Sequence, residues 1–511
     1  MTDALDFPAL FPYNTTIGND GTKYPGQMRL KRAFGGWKKA AAAPANTSPS
    51  PAVNVFPVAD RRCAVYSAGP AWPAEGAFAP KRKWYRDFSV AFLPKREGGG
   101  FPFSRPERSG KCKGGVFMDS VSYARRFDNV TGSAIREIFK VLGRPGMISF
   151  AGGNPSLDAL PDKLCAELAR DVLLADGKRI LQYGATEGYP PFVESLTEYL
   201  KAHFGFSMAG DGVLPTTGST SGMDLLLKAL VNPGDAVLVE SPTFLGNMQT
   251  MHLYEANLIP IESDEGGVKL DALEEAARRY HPRLFYVIPT FQNPSGRTLA
   301  ADRRKAIAEL AAKYGFIVAE DDPYRDLRYR GESLPPIKSY DTTGRVVYLG
   351  SFSKLVSPGL RVGYLLAGQE LLRKCTIGKQ GTDLHTPNLN QAVIDQFLRR
   401  DLLDSHIQSI IPGYREKLEL MLGELSSFPE GTRYTAPEGG LFIFVEMPEG
   451  FDATALFSEA VERGVAYVPG THFYPDGGHH NTLRLNFSNS TPQQIHEGMG
   501  KLRELFAAHL G

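Results

Sequence analysis

The chain has 511 residues, with 57 Lys and Arg against 56 Asp and Glu and a formal net charge of +1. Hydrophobic residues make up 42% and charged residues 22%, which is typical of a globular protein, and the length allows roughly two to four domains. No apolar run approaches the roughly 18–20 residues that cross a bilayer, which argues against an integral membrane protein. The cysteines are dispersed and form no Cys-x-x-Cys pair, which argues against a zinc ribbon or a disulfide scaffold.

Residues 1–117 differ in composition from the rest of the chain. They contain 18 Lys and Arg against 8 Asp and Glu, together with 13 prolines and 13 glycines. A segment so rich in residues that break helices and strands cannot bury enough apolar surface to offset the entropy lost on ordering. We therefore expect a disordered extension, with a basic nucleic-acid-binding tail and a targeting peptide as alternatives. Met118, where helical patterning begins, is a second candidate for the start of the protein.

From Met118 onward, short apolar runs alternate with amphipathic stretches. Helical spacing predicts helices over 134–143, 223–231, 270–280 and 303–314. Strands that are apolar on both faces and alternate with helices indicate an α/β fold with a mainly parallel, helix-covered sheet, and such sheets bind ligands at the carboxyl ends of their strands. The predicted strands are 213–215, 236–239, 258–261, 284–289, 316–319, 346–349 and 362–366.

Two of these strands end beside groups that suit a phosphate and a flat ring. After strand 213–215, Ser219 and Thr220 stand where a helix opens, and free backbone N–H groups with the helix dipole favour an anion there. An ordinary N-cap turn is the alternative, and the residues match neither a dinucleotide fingerprint nor a P-loop. After strand 236–239, Phe244 could stack on a flat ligand, although a core phenylalanine is the commoner use.

Amide and carboxylate groups follow the next two strands. Asn293 stands in an Asn-Pro-Ser-Gly turn, and its amide faces either solvent or a ligand oxygen. Glu320, Asp321 and Asp322 follow strand 316–319, and carboxylates at the end of a buried strand are costly unless each has a partner. The candidate partners are a ligand cation, a metal ion and solvent, but further acidic ligands for magnesium are missing nearby in the sequence.

A lysine follows strand 346–349. Lys354 lies beside Ser351 and Ser353, and burial with nearby positive charge would lower the pKa of its amine and make it a Schiff-base nucleophile; a surface lysine is the alternative. Arg361 could complete a phosphate clamp with the two serines. A phosphate site, a stacking ring, a carboxylate for a ring nitrogen, donors for a ring oxygen and an amine nucleophile are together what pyridoxal phosphate (PLP) requires.

The strings that carry these groups resemble the fold-type-I PLP enzymes. SFSKLVSPGLRVG at 351–363, NPSG at 293–296 and Asp321-x-x-Tyr324 are similar to the class I and II aminotransferases, and most of all to the 2-aminoadipate and kynurenine aminotransferase branch, which is related to the aminotransferase domain of MocR-type regulators. Supporting strings are ISFAGGNP at 148–155, LQYGATEG at 181–188 and LRLNFS at 483–488. The resemblance implies the fold-type-I architecture, with a seven-stranded sheet and a second, smaller α+β domain.

The resemblance also implies a role for each cofactor-binding residue. Lys354 would bind the PLP aldehyde as an imine and then move a proton, while Asp321 would pair with the protonated ring nitrogen. Asn293 and Tyr324 would hydrogen-bond the ring oxygen, and Phe244 would stack on the ring. The phosphate would be held by Ser219, Thr220, Ser351, Ser353 and Arg361, and by Tyr183 from the neighbouring subunit.

The implied reaction moves an amino group from an L-amino acid to a 2-oxo acid, commonly 2-oxoglutarate, by a ping-pong mechanism. Arg484 would bind the α-carboxylate of the substrate, with Gly153 and Asn293 close to it. The enzyme would be a cytoplasmic homodimer with composite active sites and no metal, membrane or nucleic-acid partner. A PLP-dependent lyase or decarboxylase of the same fold is one alternative.

A MocR-type transcription regulator is the other alternative, but the 13 prolines among residues 1–117 argue against a winged helix-turn-helix there. The implied division of the chain is an extension over 1–117, an N-terminal arm over 118–164, a large PLP-binding domain over 165–400 and a small domain over 401–511 that the arm completes.

Overall fold

The computed structural model describes residues 122–128 and 146–510. These residues fall in one compact unit, 112–511. The extension expected over 1–117, the alternative start at Met118 and the helix predicted over 134–143 lie outside the described residues, so these interpretations stay predictions.

The strands are numbered here in chain order. They are β1 (Ile148–Ser149), β2 (Asp211–Thr216), β3 (Ala236–Ser241), β4 (Asn257–Asp264), β5 (Gly267–Val268), β6 (Leu284–Val287), β7 (Ile317–Asp321), β8 (Val346–Ser351), β9 (Gly363–Gly368), β10 (Arg433–Tyr434), β11 (Phe442–Glu446), β12 (Val465–Ala466), β13 (Val468–Pro469) and β14 (Thr482–Asn486).

The α-helices are numbered in the same way. They are α1 (Asp162–Ile180), α2 (Pro190–Phe204), α3 (Ser219–Leu230), α4 (Leu245–Leu253), α5 (Leu270–Tyr280), α6 (Ala301–Tyr314), α7 (Gln369–Gln380), α8 (Asn388–Arg399), α9 (Leu402–Leu425), α10 (Phe457–Glu462) and α11 (Pro492–Ala508). Short 3₁₀ turns span Arg125–Phe127, Leu157–Ala159, Ile337–Tyr340, Pro358–Leu360 and Gly470–Phe473.

A large sheet forms the centre of the fold, with the strand order β2-β9-β8-β7-β6-β3-β4-β5. Strands β4, β3, β6, β7 and β8 are parallel, whereas β9 is antiparallel to both β8 and β2. The predicted mainly parallel α/β sheet is thus confirmed, and each of the seven predicted strands is present. The two residues of β5 add a short antiparallel partner to β4, which the sequence does not predict because two residues carry no periodicity.

Both faces of this sheet are covered by apolar side chains. On β6, Leu284 and Tyr286 join one apolar cluster, while Phe285 and Val287 join another on the opposite face. The first cluster includes residues of α1, α2, α3, α8 and α9, and the second includes residues of α5 and α6. Because alternate residues point to opposite faces, burial on both sides explains why these strands read as continuous apolar runs.

A smaller antiparallel sheet, with the order β10-β11-β14-β13, packs with α9 and α11 in the C-terminal part of the chain. Strand β1 pairs in parallel with β12, so that residues just before α1 join this part. The arrangement is the expected second, α+β element, while the domain boundaries at 165 and 400 stay a prediction. Within the described residues, no helix has both the length and the apolar character needed to cross a membrane.

The topology brings distant segments to one edge of the large sheet. Strands β2, β3, β6, β7 and β8 end at this edge, and the antiparallel β9 begins there. Segments that follow five strands and precede a sixth therefore meet in space, as expected for an α/β ligand site.

Candidate active site

A cavity of about 340 Å³ opens at this edge of the sheet. A larger cavity of about 530 Å³ lies beside Arg297 and Tyr434 but is lined by none of the predicted site residues. The smaller cavity is therefore the candidate site. It is lined by Gly153, Ser219, Thr220, Phe244, Asn293, Asp321, Tyr324, Ser351, Ser353, Lys354, Arg361 and Arg484.

One end of the cavity is a cradle for an anion, built on the N-terminus of α3. Ser219 is the first residue of this helix, and Arg361 donates from Nη2 to the carbonyl oxygen of Thr217 at 3.0 Å. Gly218 has φ +86°, and a Cβ there would lie 2.6 Å from Nη2 of Arg361. Glycine at 218 thus permits both the turn and the close approach of the guanidinium. Free N–H groups, hydroxyls and a guanidinium together suit a phosphate.

Two buried serines complete this end of the cavity from β8. Ser351 is the last residue of the strand, and its Oγ accepts a hydrogen bond from the backbone N–H of Ser353 at 3.2 Å. Both serines line the cavity, as Arg361 and Lys354 do. The serine-lysine turn therefore places hydroxyl donors next to an amine.

Lys354 is held by the segment that follows β1. Its Nζ donates to the carbonyl oxygen of Gly153 at 2.7 Å. Burial, together with the positive charges of Arg484 and Arg361, lowers the pKa of the Lys354 amine to about 8. The lowered pKa matches the expectation from the sequence, and it raises the fraction of neutral, nucleophilic amine at physiological pH.

The three consecutive carboxylates have three different environments. Glu320 accepts hydrogen bonds from the backbone N–H groups of Ile337 at 2.7 Å and Lys338 at 2.8 Å. Asp322 lies 3.9 Å from Nη1 of Arg325. Of the three, Asp321 lines the cavity. The separation follows from strand alternation, which turns neighbouring side chains in opposite directions.

Asp321 is buried, and only one of its two carboxylate oxygens has hydrogen-bond partners among the described residues. Its Oδ2 accepts a hydrogen bond from the Tyr286 hydroxyl at 2.8 Å and another from Nδ2 of Asn247 at 3.3 Å. Its Oδ1 is buried and has no hydrogen-bond partner in the part of the chain that the structure describes. Burial raises the pKa of Asp321 to about 6, against the opposing effect of Tyr286, Ser219 and Asn247.

Asn293 and Tyr324 lie together on the wall between Asp321 and Arg484. Oδ1 of Asn293 accepts a hydrogen bond from Nη1 of Arg484 at 2.8 Å. The Asn293 side chain also lowers the pKa of Tyr324, although burial raises that pKa more. Tyr324 is therefore a neutral hydroxyl, able to donate into the cavity. Phe244, at the start of α4, supplies an aromatic wall.

Arg484 of β14 is almost fully buried between two aromatic rings. Its Cζ lies 4.3 Å from the ring centroid of Phe442 and 5.1 Å from that of Phe473. Nη2 donates to the carbonyl oxygen of Ala151 at 2.7 Å, but Nε has no partner among residues 122–128 and 146–510. Burial lowers the pKa of Arg484 to about 10, against the opposing effect of Tyr324, and the guanidinium forms no ion pair with a carboxylate of the described residues.

Tyr183 is the one predicted site residue that does not line this cavity. The residue is 80% exposed, and its ring centroid lies 6.2 Å from that of the His385 ring in a T-shaped arrangement. The residues that sequence reasoning missed are Phe442, Tyr286 and Asn247. Each stands in an apolar strand or an ordinary helix. Only strand pairing and helix packing bring Phe442 to the cavity and place Tyr286 and Asn247 against Asp321. Within the described ranges, no cluster of three or more His, Cys, Asp or Glu could hold a metal ion.

Comparison with known proteins gives the context of this site. The family model described as aminotransferase class I and II matches residues 145–502. The aromatic-amino-acid aminotransferase 1 of Thermococcus litoralis is 39% identical over 378 residues, covering 73% of this chain and 91% of that protein. The related regulators are represented by an uncharacterized HTH-type transcriptional regulator of Bacillus subtilis, 26% identical over 387 residues, covering 75% of this chain and 78% of that protein.

Two solved structures share the fold over nearly their whole length. A kynurenine aminotransferase of Pyrococcus horikoshii, in complex with PMP, has a TM-score of 0.74 and 38% identity, covering 76% of this chain and 98% of that one. The α-aminoadipate aminotransferase LysN of Thermus thermophilus, complexed with N-(5′-phosphopyridoxyl)-L-leucine, has a TM-score of 0.70 and 37% identity at the same coverage.

These matches confirm the family, the fold type and the branch that the sequence predicts. The chain belongs to the class I and II aminotransferases, a family of PLP-dependent enzymes.

Proposed function

We propose that this enzyme holds PLP in the cavity at the edge of the large sheet and transfers amino groups between L-amino acids and 2-oxo acids. The observation that carries this proposal is Oδ1 of Asp321, a buried carboxylate oxygen without a partner in the described residues, on a residue that lines the cavity. A buried polar atom of this kind is costly unless a ligand group satisfies it, and a protonated ring nitrogen would do so. The residues present therefore fit the cofactor.

When bound, PLP supplies an aldehyde that joins an amine and a ring that accepts the electron pair released at Cα of the substrate. Lys354 would hold the aldehyde, Asp321 the ring nitrogen, and Asn293 with Tyr324 the ring oxygen. Phe244 would cover one face of the ring. The phosphate would lie against the N-terminus of α3, with Ser219, Thr220, Ser351, Ser353 and Arg361 around it.

Lys354 is the group that moves a proton. Once the substrate amine has displaced it, Nζ would be a neutral base that takes the proton from Cα of the amino acid and then delivers it to C4′ of the cofactor. Its lowered pKa of about 8 makes a base that works near neutral pH. The carboxylate of Asp321 would hold a proton on the ring nitrogen and so keep the bound ring positively charged.

Arg484 is proposed to bind the α-carboxylate that amino acids and 2-oxo acids share. Its guanidinium is buried, held by Asn293 and Ala151, and placed beside Lys354 in the same cavity. Because both substrates would use this one guanidinium, they bind in turn, which supports a ping-pong order with 2-oxoglutarate as the acceptor. Aromatic amino acids, kynurenine and 2-aminoadipate are the first amino donors to screen, because they appear in the names of the relatives.

A second copy of the chain is proposed to complete the site. Tyr183 lies outside its own cavity, and Leu174 and Leu181 expose 79% and 74% of their surface nearby in sequence. Large exposed apolar side chains of this kind mark interaction surfaces. Tyr183 would then reach the phosphate held by the partner. The cytoplasmic location expected from the sequence stays a prediction.

The test is a half-reaction with one amino acid and no acceptor. We expect the PLP-loaded enzyme to release one equivalent of 2-oxo acid per active site and then stop until 2-oxoglutarate is added. Continuous release of ammonia or carbon dioxide would instead identify a lyase or a decarboxylase. The variant Lys354→Ala should lose the reaction, while Lys305→Ala, which changes an exposed lysine of α6, should keep it.

A further inference from the structure

Asp321 is held from behind by two buried polar side chains that do not line the cavity. Tyr286 of β6 is fully buried, and its hydroxyl donates to Oδ2 at 2.8 Å. Asn247 of α4 is also fully buried and donates to the same oxygen from Nδ2 at 3.3 Å. The two oxygens of the carboxylate therefore differ, since Oδ2 is held by the Tyr286 and Asn247 side chains while Oδ1 has no hydrogen-bond partner among the described residues.

Strand register explains how Tyr286 reaches this carboxylate. Tyr286 pairs with Ala319 on β7, and Asp321 follows two residues later on the same face. The small alanine leaves the tyrosine ring room to extend towards Asp321. Apolar residues surround the ring, so phenylalanine would pack equally well there. A buried hydroxyl is costly without a partner, so the carboxylate is what makes tyrosine suitable at this position.

We propose that Tyr286, assisted by Asn247, is a positioning residue that fixes the Asp321 carboxylate in its ionised form with Oδ1 aimed at the cofactor ring nitrogen, an inference that rests on the proposed function. A hydrogen bond from a neutral phenol to Oδ2 stabilises the negative charge of the carboxylate. Two donors on one oxygen also prevent the carboxylate from rotating away from the cavity.

The surroundings of Asp321 make these donors necessary. Burial raises the pKa of Asp321, and the neighbouring charge of Asp322 acts in the same direction. Tyr286, Ser219 and Asn247 lower that pKa. Burial and the nearby charge of Asp321 raise the pKa of Tyr286 well above its usual 10, so the phenol keeps its proton and remains a donor. Without the hydrogen bond from this phenol, a proton shared between the ring nitrogen and Asp321 would shift towards the Asp321 carboxylate. The ring would then lose positive charge.

The experiment compares Tyr286→Phe with Tyr348→Phe in the PLP-loaded enzyme. Both tyrosines are buried in the large sheet, but the Tyr348 hydroxyl donates to Oδ2 of Asp322 at 3.4 Å, whereas the hydrogen bonds that Asp321 accepts come from Tyr286 and Asn247. We expect Tyr286→Phe to lower kcat about 10-fold, the effect of one hydrogen bond to a charged group, with KM changed less than about 2-fold. The ¹⁵N NMR signal of ¹⁵N-labelled PLP should move towards that of an unprotonated ring. Tyr348→Phe should leave both measurements at wild-type values.

A wild-type ¹⁵N signal and a wild-type kcat in Tyr286→Phe would overturn the inference, as would equal losses in both variants. If Tyr286→Phe does not fold, Asn247→Ala tests the same oxygen from α4 and should move the ¹⁵N signal in the same direction. Wild-type enzyme that performs the half-reaction while Tyr286→Phe shows no effect would contradict this inference alone. Wild-type enzyme that does not bind PLP would contradict the proposed function itself.

Discussion

Replacement of Arg484 tests the proposed binding of the substrate carboxylate. The buried guanidinium is stacked between Phe442 and Phe473, and its charge has no carboxylate partner among the described residues. A substrate carboxylate bound by two charged hydrogen bonds would gain about 1.5–3 kcal/mol from each. Arg484→Leu removes both, so kcat/KM for an amino acid should fall about 10² to 10⁴-fold. Arg484→Lys keeps the charge and one bond, so its loss should be about 10 to 100-fold.

The assay is steady-state transamination of one amino acid by wild type, Arg484→Leu and Arg484→Lys. Covalent loading with PLP is measured in parallel and should change little, because Arg484 is proposed to bind the substrate and not the cofactor. Arg433→Lys, which alters an arginine that is 80% exposed, serves as the matched control. A kcat/KM for Arg484→Leu within about 3-fold of the wild type would refute the assignment, because a lost bidentate pair cannot cost so little.

Three further predictions concern the cofactor. Asp321→Ala should lose most transamination while retaining PLP on Lys354, because the ring would no longer be held protonated. Steady-state transamination rates near those of the wild type would count against this role. Cofactor-free enzyme should capture PLP at a rate that rises with pH with a midpoint near pH 8, because the neutral amine reacts and burial lowers the pKa of Lys354 to about 8 from 10.5; a midpoint above pH 10 would disagree. Gly218→Ala should weaken PLP affinity by at least about 10-fold in fluorescence titration, because a Cβ would lie 2.6 Å from Nη2 of Arg361 and φ is +86°; unchanged affinity would contradict the phosphate cradle.

The parts of the fold that the sequence predicts are those that carry a strong local signal. The central strands are buried on both faces, so their apolar runs mark them, and groups such as Asp321 and Lys354 stand directly after such runs. Phe442 and Tyr286 could not be recognised in this way. Both belong to strands of continuous apolar character, where the sequence pattern does not distinguish an aromatic residue near the site from one in the core. Their positions depend on pairing between strands that are far apart in the sequence.

The central claim is that the Lys354 amine forms the covalent bond to PLP. The most direct measurement is borohydride reduction of the PLP-loaded enzyme, followed by proteolysis and mass spectrometry of the peptides. We predict a single phosphopyridoxyl group, carried by the peptide that contains Lys354 and attached to its Nζ. A reduced adduct on a different lysine, or unmodified Lys354 in enzyme that transaminates at full rate, would contradict the account.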